Sequence, residues 1–287
     1  MRACFHVEIT TPKKVVLNGL WFGPKKAKRA IIFVHGLGGS TFSRLPIVDE
    51  LLDKETAVVT FNNRGHDKVT YAVRGKQSIK AGAAHEKFIE CIDDVEGAIR
   101  FAKASGAKEI FLAGHSTGCQ KSIYWASKVG RGVKGIILLA PISDYAAEIK
   151  GSGEGRLKAG TAVAERMVRK GRGDEIMSTR FIKWSLLADA QRFVSLYSGK
   201  GPEEIFTYWS PKTIPKTLKS VKLPIIALLA EKDEYRDRES KKMAALFALH
   251  LKKRDVVHVI PKVGHGFKGG EKEVAARVRK FMKDATL

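Results

Sequence analysis

Short apolar runs rich in β-branched residues alternate with amphipathic stretches along most of this chain, and that alternation restricts the fold more than any other feature. A parallel strand buried on both faces reads as an unbroken apolar run, whereas a crossover helix shows a single apolar face. The pattern predicts strands over Cys4–Ile9, Val15–Phe22, Ala30–Val34, Ala57–Phe61, Glu109–Ala113, Val133–Ala140, Pro224–Leu229 and Val256–Ile260. It predicts helices over Arg44–Asp53, His85–Ala104, Ser116–Val129, Arg238–Leu251 and Glu271–Lys283. The second helix is the clearest, with Phe88, Ile89, Ile92, Val95, Ile99 and Phe101 at helical spacing. The first two strands are close enough for an antiparallel hairpin. The expected architecture is therefore α/β, a mainly parallel eight-stranded sheet flanked by helices.

From Asp144 to about Thr217 the alternation stops. Glycine-rich punctuation appears at Gly151–Gly155 and Gly171–Gly173, with helix-like pieces over Leu157–Lys170 and Ala188–Tyr197. The stretch is too long for a connecting loop. The expectation is a core domain made of residues 1–143 and 218–287, interrupted by a helical cap over 144–217. Aromatic residues concentrate in the cap. They serve either its own small core or a pocket wall, and Trp184 and Phe193 are the candidates for the latter.

The most specific local signal is Gly114-His115-Ser116-Thr117-Gly118, placed between the apolar run Ile110–Ala113 and a helix-like segment. GxSxG acquires its meaning in this strand–turn–helix setting, where a serine stands on a sharp, strained turn. The helix that follows directs free N–H groups and its positive dipole end at charge developing beside Ser116. A second glycine-rich turn, His35-Gly36-Leu37-Gly38-Gly39, follows Ile31–Val34. The backbone amides of Leu37 and Thr117 are the expected oxyanion donors, and His35 and Gly36 are candidate substrate contacts. A phosphate-binding loop is excluded, because neither GxGxxG nor a GK[ST] ending is present.

A base and an acid must accompany such a serine. Glu231-Lys232-Asp233-Glu234 follows the run ending at Ala230, and Gly264-His265-Gly266 follows the last apolar run. The order Ser116…Asp233…His265 suits this architecture. In it His265 takes the serine proton while Asp233 fixes the imidazole tautomer. Asp144 is the alternative acid, and Glu231 and Glu234 read as solvated neighbours. His35 and His115 fall inside the glycine motifs and read as structural. The loop Asn62–Asp67 follows a strand end where sites gather. Asn63 and Arg64 are therefore possible substrate contacts, although a structural Arg64–Asp67 pair is the simpler reading. Cys119 reads as a small buried hydrophobe.

Together these motifs resemble the α/β-hydrolase superfamily. The likeness covers 1–143 and 218–287, through the His-Gly-Leu-Gly-Gly loop, the Gly-His-Ser-Thr-Gly elbow, the late Asp and the final Gly-His-Gly-Phe. The string Gly114–Gln120, with Ala140–Asp144 and Phe193–Ser198, is similar to a branch that includes fungal siderophore-ester hydrolases. Lys121 stands where those enzymes carry a carboxylate. The resemblance implies a serine hydrolase, expected to be a carboxylesterase acting on a small-molecule ester through an acyl-enzyme. A thioesterase or amide hydrolase would use the same triad. No metal or cofactor is called for.

Charge supplies the rival reading. With 52 Lys+Arg against 30 Asp+Glu, the net charge is +22, a value that suits a nucleic-acid or anionic-surface binder. Positive charge is dispersed, however, and no nucleic-acid motif appears, so no nucleic-acid partner is expected. Six amides in 287 residues, beside abundant lysine, is the composition of heat-adapted proteins. Three widely spaced cysteines form no CxxC pair and argue against a disulfide framework. No apolar run approaches the roughly 18–20 residues of a membrane span. The amino-terminal residues lack the apolar segment of a secretory signal, and a cytoplasmic location is the expectation.

Overall fold

A computed structural model of the chain describes residues 3–182, 187–207, 210 and 212–286. Among the described residues ten strands form one sheet: β1 (Cys4–Thr10), β2 (Val15–Phe22), β3 (Arg29–Val34), β4 (Thr56–Phe61), β5 (Thr70–Arg74), β6 (Gln77–Ala81), β7 (Glu109–His115), β8 (Gly135–Leu139), β9 (Ile225–Ala230) and β10 (Val256–Ile260). Their order is β10-β9-β8-β7-β3-β4-β2-β5-β6, with β1 paired to β2. Pairing is parallel from β4 through β10, and antiparallel among β1, β2, β5 and β6 and between β2 and β4. This is the α/β-hydrolase fold.

The expected eight strands become ten, because a hairpin of β5 and β6 extends the antiparallel edge. Tyr71, Val73, Arg74, Gln77, Ser78 and Lys80 in it are exposed. A strand pair so little buried carries no apolar run, which is why the pattern missed it. The predicted hairpin of β1 with β2 is present.

The helices lie on both faces and in the segment after β8. They are α1 (Leu45–Leu51), α2 (Cys91–Ala104), α3 (Thr117–Lys128), α4 (Asp144–Ser152), α5 (Glu154–Arg169), α6 (Ala190–Tyr197), α7 (Lys216–Ser220), α8 (Ser240–His250) and α9 (Glu271–Asp284). Strand alternation divides the core into two layers. Ala30, Ile32 and Val34 face α2, α3 and α8 with Leu112, Leu138 and Leu229. Ile31 and Phe33 face α1 and α9 with Phe111, Leu139 and Phe281. Residues on α5 and α6, including Leu157, Ala164, Phe193 and Leu196, form a third apolar cluster against which Leu37 packs. Downstream of it, Ile205 and Phe206 rejoin the first layer, with Phe206 and Phe247 rings 5.3 Å apart.

Parallel strands place all their carboxyl ends on one rim, and the order in which the chain adds strands reverses between β3 and β7, the position where open α/β sheets build sites. Residues 35–39 leave β3 there, and Ser116 leaves β7.

Candidate active site

Ser116 has φ 55° and ψ −126°, a conformation a serine adopts only where its surroundings enforce it. The enforcement is close packing. A Cβ at residue 118 would lie 2.2 Å from the Val34 carbonyl oxygen, and one at residue 36 would lie 2.8 Å from Ser116 Cβ. Glycine at both positions lets β3, β7 and α3 approach until the 35–39 loop touches the serine. Thr117 is the first residue of α3, so its N–H has no acceptor within the helix. Gly36, Leu37 and Ser116 line a cavity of about 420 Å³ with His265, the volume of a small-molecule site.

The loops after β9 and β10 are strapped together. His265 Nδ1 donates to Asp233 Oδ2 at 2.8 Å, and the Tyr235 N–H donates to the other Asp233 oxygen at 2.9 Å. Glu234 accepts from the His265 N–H at 2.7 Å and Glu231 from the Lys262 N–H at 2.7 Å. The two glutamates, expected to be merely solvated, thus hold the histidine loop. His115 adds a further restraint, donating from Nε2 to the His265 carbonyl at 2.9 Å. Tyr235 packs its ring against His265 with centroids 4.7 Å apart.

Two histidines in the glycine motifs are buried and neutral. Burial lowers His35 to about 3, aided by the Lys121 charge, and its Nδ1 donates to the Gly36 carbonyl at 2.8 Å. Burial also lowers His115 to about 3, with His265 adding to the effect. Asp144 shifts the other way, raised to about 8 by burial and by Glu203, while Gln120 Nε2 donates to it at 2.8 Å. Stability follows from linkage. Between pH 6.5 and 3 the unfolded chain takes up protons at His35 and His115 that the native state refuses, so both groups lose stability as pH falls. Asp144 opposes them, because its native form keeps a proton up to about pH 8 that the unfolded chain loses near 3.8. Among these three groups the two histidines outweigh the one carboxyl, so their combined contribution to stability falls as the pH drops from 6.5 toward 4. The urea midpoint should therefore fall as the pH drops from 6.5 toward 4.

The other sequence candidates lie elsewhere. Arg64 does not reach the cavity and does not pair with Asp67. Its guanidinium binds Asp94 at 2.8 Å and Asp93 at 2.9 Å on α2, two buried carboxylates that require a cation. Asn63 is buried too, its Oδ1 accepting from Gly65 N at 2.9 Å and from Lys121 Nζ at 3.1 Å. Phe193 is fully buried in the α5–α6 cluster, which uses it as core. His35 stands behind the 35–39 loop and leaves the cavity wall to Gly36 and Leu37. Trp184 falls outside the described residues.

The remaining wall includes Arg44, Ile142, Asp144, Glu148, Tyr197 and Tyr235, none of which the sequence singled out as cavity lining. Asp144, the alternative acid, and Tyr235, two residues from Asp233, had a local signal. Among the described residues there is no cluster of metal-ligating side chains, and no helix is long and apolar enough to cross a membrane.

Cys119 is buried, its Sγ donating to the Gly114 and Leu139 carbonyls at 3.1 and 3.3 Å, and burial pushes its thiol well up, as it does that of Cys91. Cys4 is exposed. A thiol-disulfide reagent should therefore modify one cysteine quickly in the native protein and all three only after denaturation.

Comparison with solved structures agrees with the fold. The chain is similar to an esterase of Pyrococcus furiosus, Pf2001, at 18% identity and TM-score 0.63, covering 99% of this chain and 91% of that one. It is similar to the siderophore hydrolase EstB of Aspergillus fumigatus at 16% identity and TM-score 0.69, covering 99% and 98%. A thermostable carboxyl esterase from Bacillus coagulans matches at 13% identity and TM-score 0.66, covering 98% and 100%. A search of curated protein sequences finds no match. A family described as "Protein of unknown function (DUF1749)" matches residues 15–283. Spanning nearly the whole chain, that match shows that the protein belongs to this family of the α/β-hydrolase fold.

Proposed function

We propose that the protein is a serine hydrolase that cleaves carboxylic esters through an acyl-enzyme. The observation that carries this reading is the His265–Asp233 contact of 2.8 Å, on a histidine that lines the same cavity as a strained Ser116. Structural neighbours that are esterases add support.

In the first half-reaction His265 takes the Ser116 hydroxyl proton while Oγ attacks the acyl carbon. The resulting oxyanion receives the Leu37 and Thr117 N–H groups. His265 then returns the proton to the departing alcohol, and Ser116 holds the acyl group as an ester. Water enters, gives its proton to His265, and releases the acid as Ser116 is reprotonated. Asp233 accepts from Nδ1–H throughout and holds that tautomer. The segment 144–217 acts as a cap, since Asp144, Ala147, Glu148 and Tyr197 complete the cavity wall.

The test is hydrolysis of p-nitrophenyl butyrate by wild type and by Ser116→Ala. Turnover that survives the substitution would overturn the assignment of the nucleophile. Acyl thioesters and anilides run beside the oxygen ester rank the leaving atom.

A further inference from the structure

Among the described residues lining the cavity, Arg44 is the one lysine or arginine. It occupies the left-handed region, φ 61° and ψ 30°, at the start of α1, where a long side chain is uncommon. Its guanidinium lies across Gly266, so closely that a Cβ there would fall 2.1 Å from Nη1. That position is beside His265, and the Arg44 charge also helps hold His115 neutral. No described carboxylate forms an ion pair with it. The carboxylates on the cavity wall, Asp144 and Glu148, both belong to α4 and are engaged there. Asp144 accepts from Gln120, and Glu148 accepts from the Ser152 hydroxyl. A cation held in a strained backbone, with no ion-pair partner among the described residues and lining the cavity beside His265, is a ready receptor for an anion.

The location also says which half of the substrate carries that anion. His265 must deliver its proton to the departing alcohol oxygen, so the alcohol lies on the histidine side of the scissile bond. Arg44 is across Gly266, on that same side. We propose that Arg44 recognises a carboxylate on the alcohol half of the ester, so that the preferred substrates are acyl esters of hydroxy acids. This rests on the ester-hydrolase reading, deepened here to a substrate class. The +22 net charge assists by concentrating anions generally, whereas Arg44 supplies the position.

The experiment compares butyryloxyacetate with its neutral amide, butyryloxyacetamide, which share acyl group, alcohol carbon skeleton and size. Wild type should show kcat/KM higher for the anion by about 10–100-fold at low ionic strength, the range of a charge-assisted hydrogen bond. Added salt should narrow the ratio. Arg44→Met should bring it down at least tenfold, Arg44→Lys should restore part of it, and Arg131→Met, which removes an exposed charge away from the cavity, should leave it in place. A thermal melt of each variant separates misfolding from altered preference. A third arm moves the anion to the acyl half, with monoethyl succinate against ethyl butyrate, and should show no comparable preference. Wild type lacking the preference, Arg44→Met retaining it, or a larger effect on the acyl side would each overturn the inference. If p-nitrophenyl butyrate is cleaved through Ser116 while the ratio is near one, this inference alone falls. If no ester is cleaved, the parent reading falls and takes it along.

Discussion

Ser116→Ala is expected to lower kcat for p-nitrophenyl butyrate by roughly 10⁴–10⁶, the cost of removing the nucleophile from a serine triad. The magnitude follows from what the substitution leaves behind. The Leu37 and Thr117 amides belong to the backbone, and the cavity keeps its shape because Gly36 and Gly118 set the loop packing rather than the serine hydroxyl. Residual rate should come from the oxyanion donors and from binding alone. Asp233→Asn is predicted to cost about 10⁴ as well, because an amide oriented to accept from Tyr235 N presents its NH₂ to His265 Nδ1 and favours the wrong tautomer. A serine-directed phosphonate should label wild type at Ser116 and leave Ser116→Ala unmodified. Steady-state kinetics with adduct mapping checks all three. A loss below tenfold in Ser116→Ala would move the chemistry to another group.

How much of this was legible beforehand depended on the range of each interaction. The elbow could be read because its requirements are local: a strand, two glycines and a helix start lie within consecutive residues. His265 and Asp233 could be read because parallel strands deliver their following loops to one rim, so each needed only a position after an apolar run. The β5–β6 hairpin was silent because its side chains are largely solvated. Arg44 was silent for a different reason. Its role depends on a left-handed backbone and on Gly266, which lies far along the chain, and neither leaves a periodic signature. Asn63 and Arg64 were placed correctly at a strand end, yet the demand of buried carboxylates on α2 drew Arg64 inward. Lys121 was noticed only as a departure from similar sequences. Its meaning lay in Glu86 and, beyond it, Arg192, which is 106 residues further along.

Arg192→Met is expected to destabilise the protein by about 3–5 kcal/mol, the cost of removing one partner from a buried ion pair. The network joins three parts of the molecule. Glu86, from the loop before α2, contacts Lys121 Nζ of α3 at 2.5 Å and Arg192 of α6 at 2.9 Å. Arg192 also binds Glu203 at 2.6 Å, and both Lys121 and Arg192 are wholly buried. Two cations face two carboxylates, so the cluster is neutral as built. The cationic partners hold Glu86 below the usual carboxylate range against the opposing effect of burial. The neighbouring His85–Asp189 contact at 2.8 Å, and the bond from Asp189 N to the Ala84 carbonyl, anchor the start of α6 to the same loop. Methionine fills much of the arginine's volume and leaves Glu86 with Lys121 and Glu203 without its arginine, so one carboxylate must stay buried without a cation or take up a proton. The expected signs are a melting temperature lower by about 5–8 °C and a stability that improves toward acid relative to wild type. A double variant, Arg192→Met with Glu203→Gln, should recover part of the loss, because it removes the stranded charge with its partner. Because α6 carries Tyr197 of the cavity wall, the same variant should raise KM more than it lowers kcat, separating the cap's anchoring from the chemistry at Ser116. Unchanged stability in Arg192→Met would mean that the apolar cluster of α5 and α6 holds the segment without the buried ions.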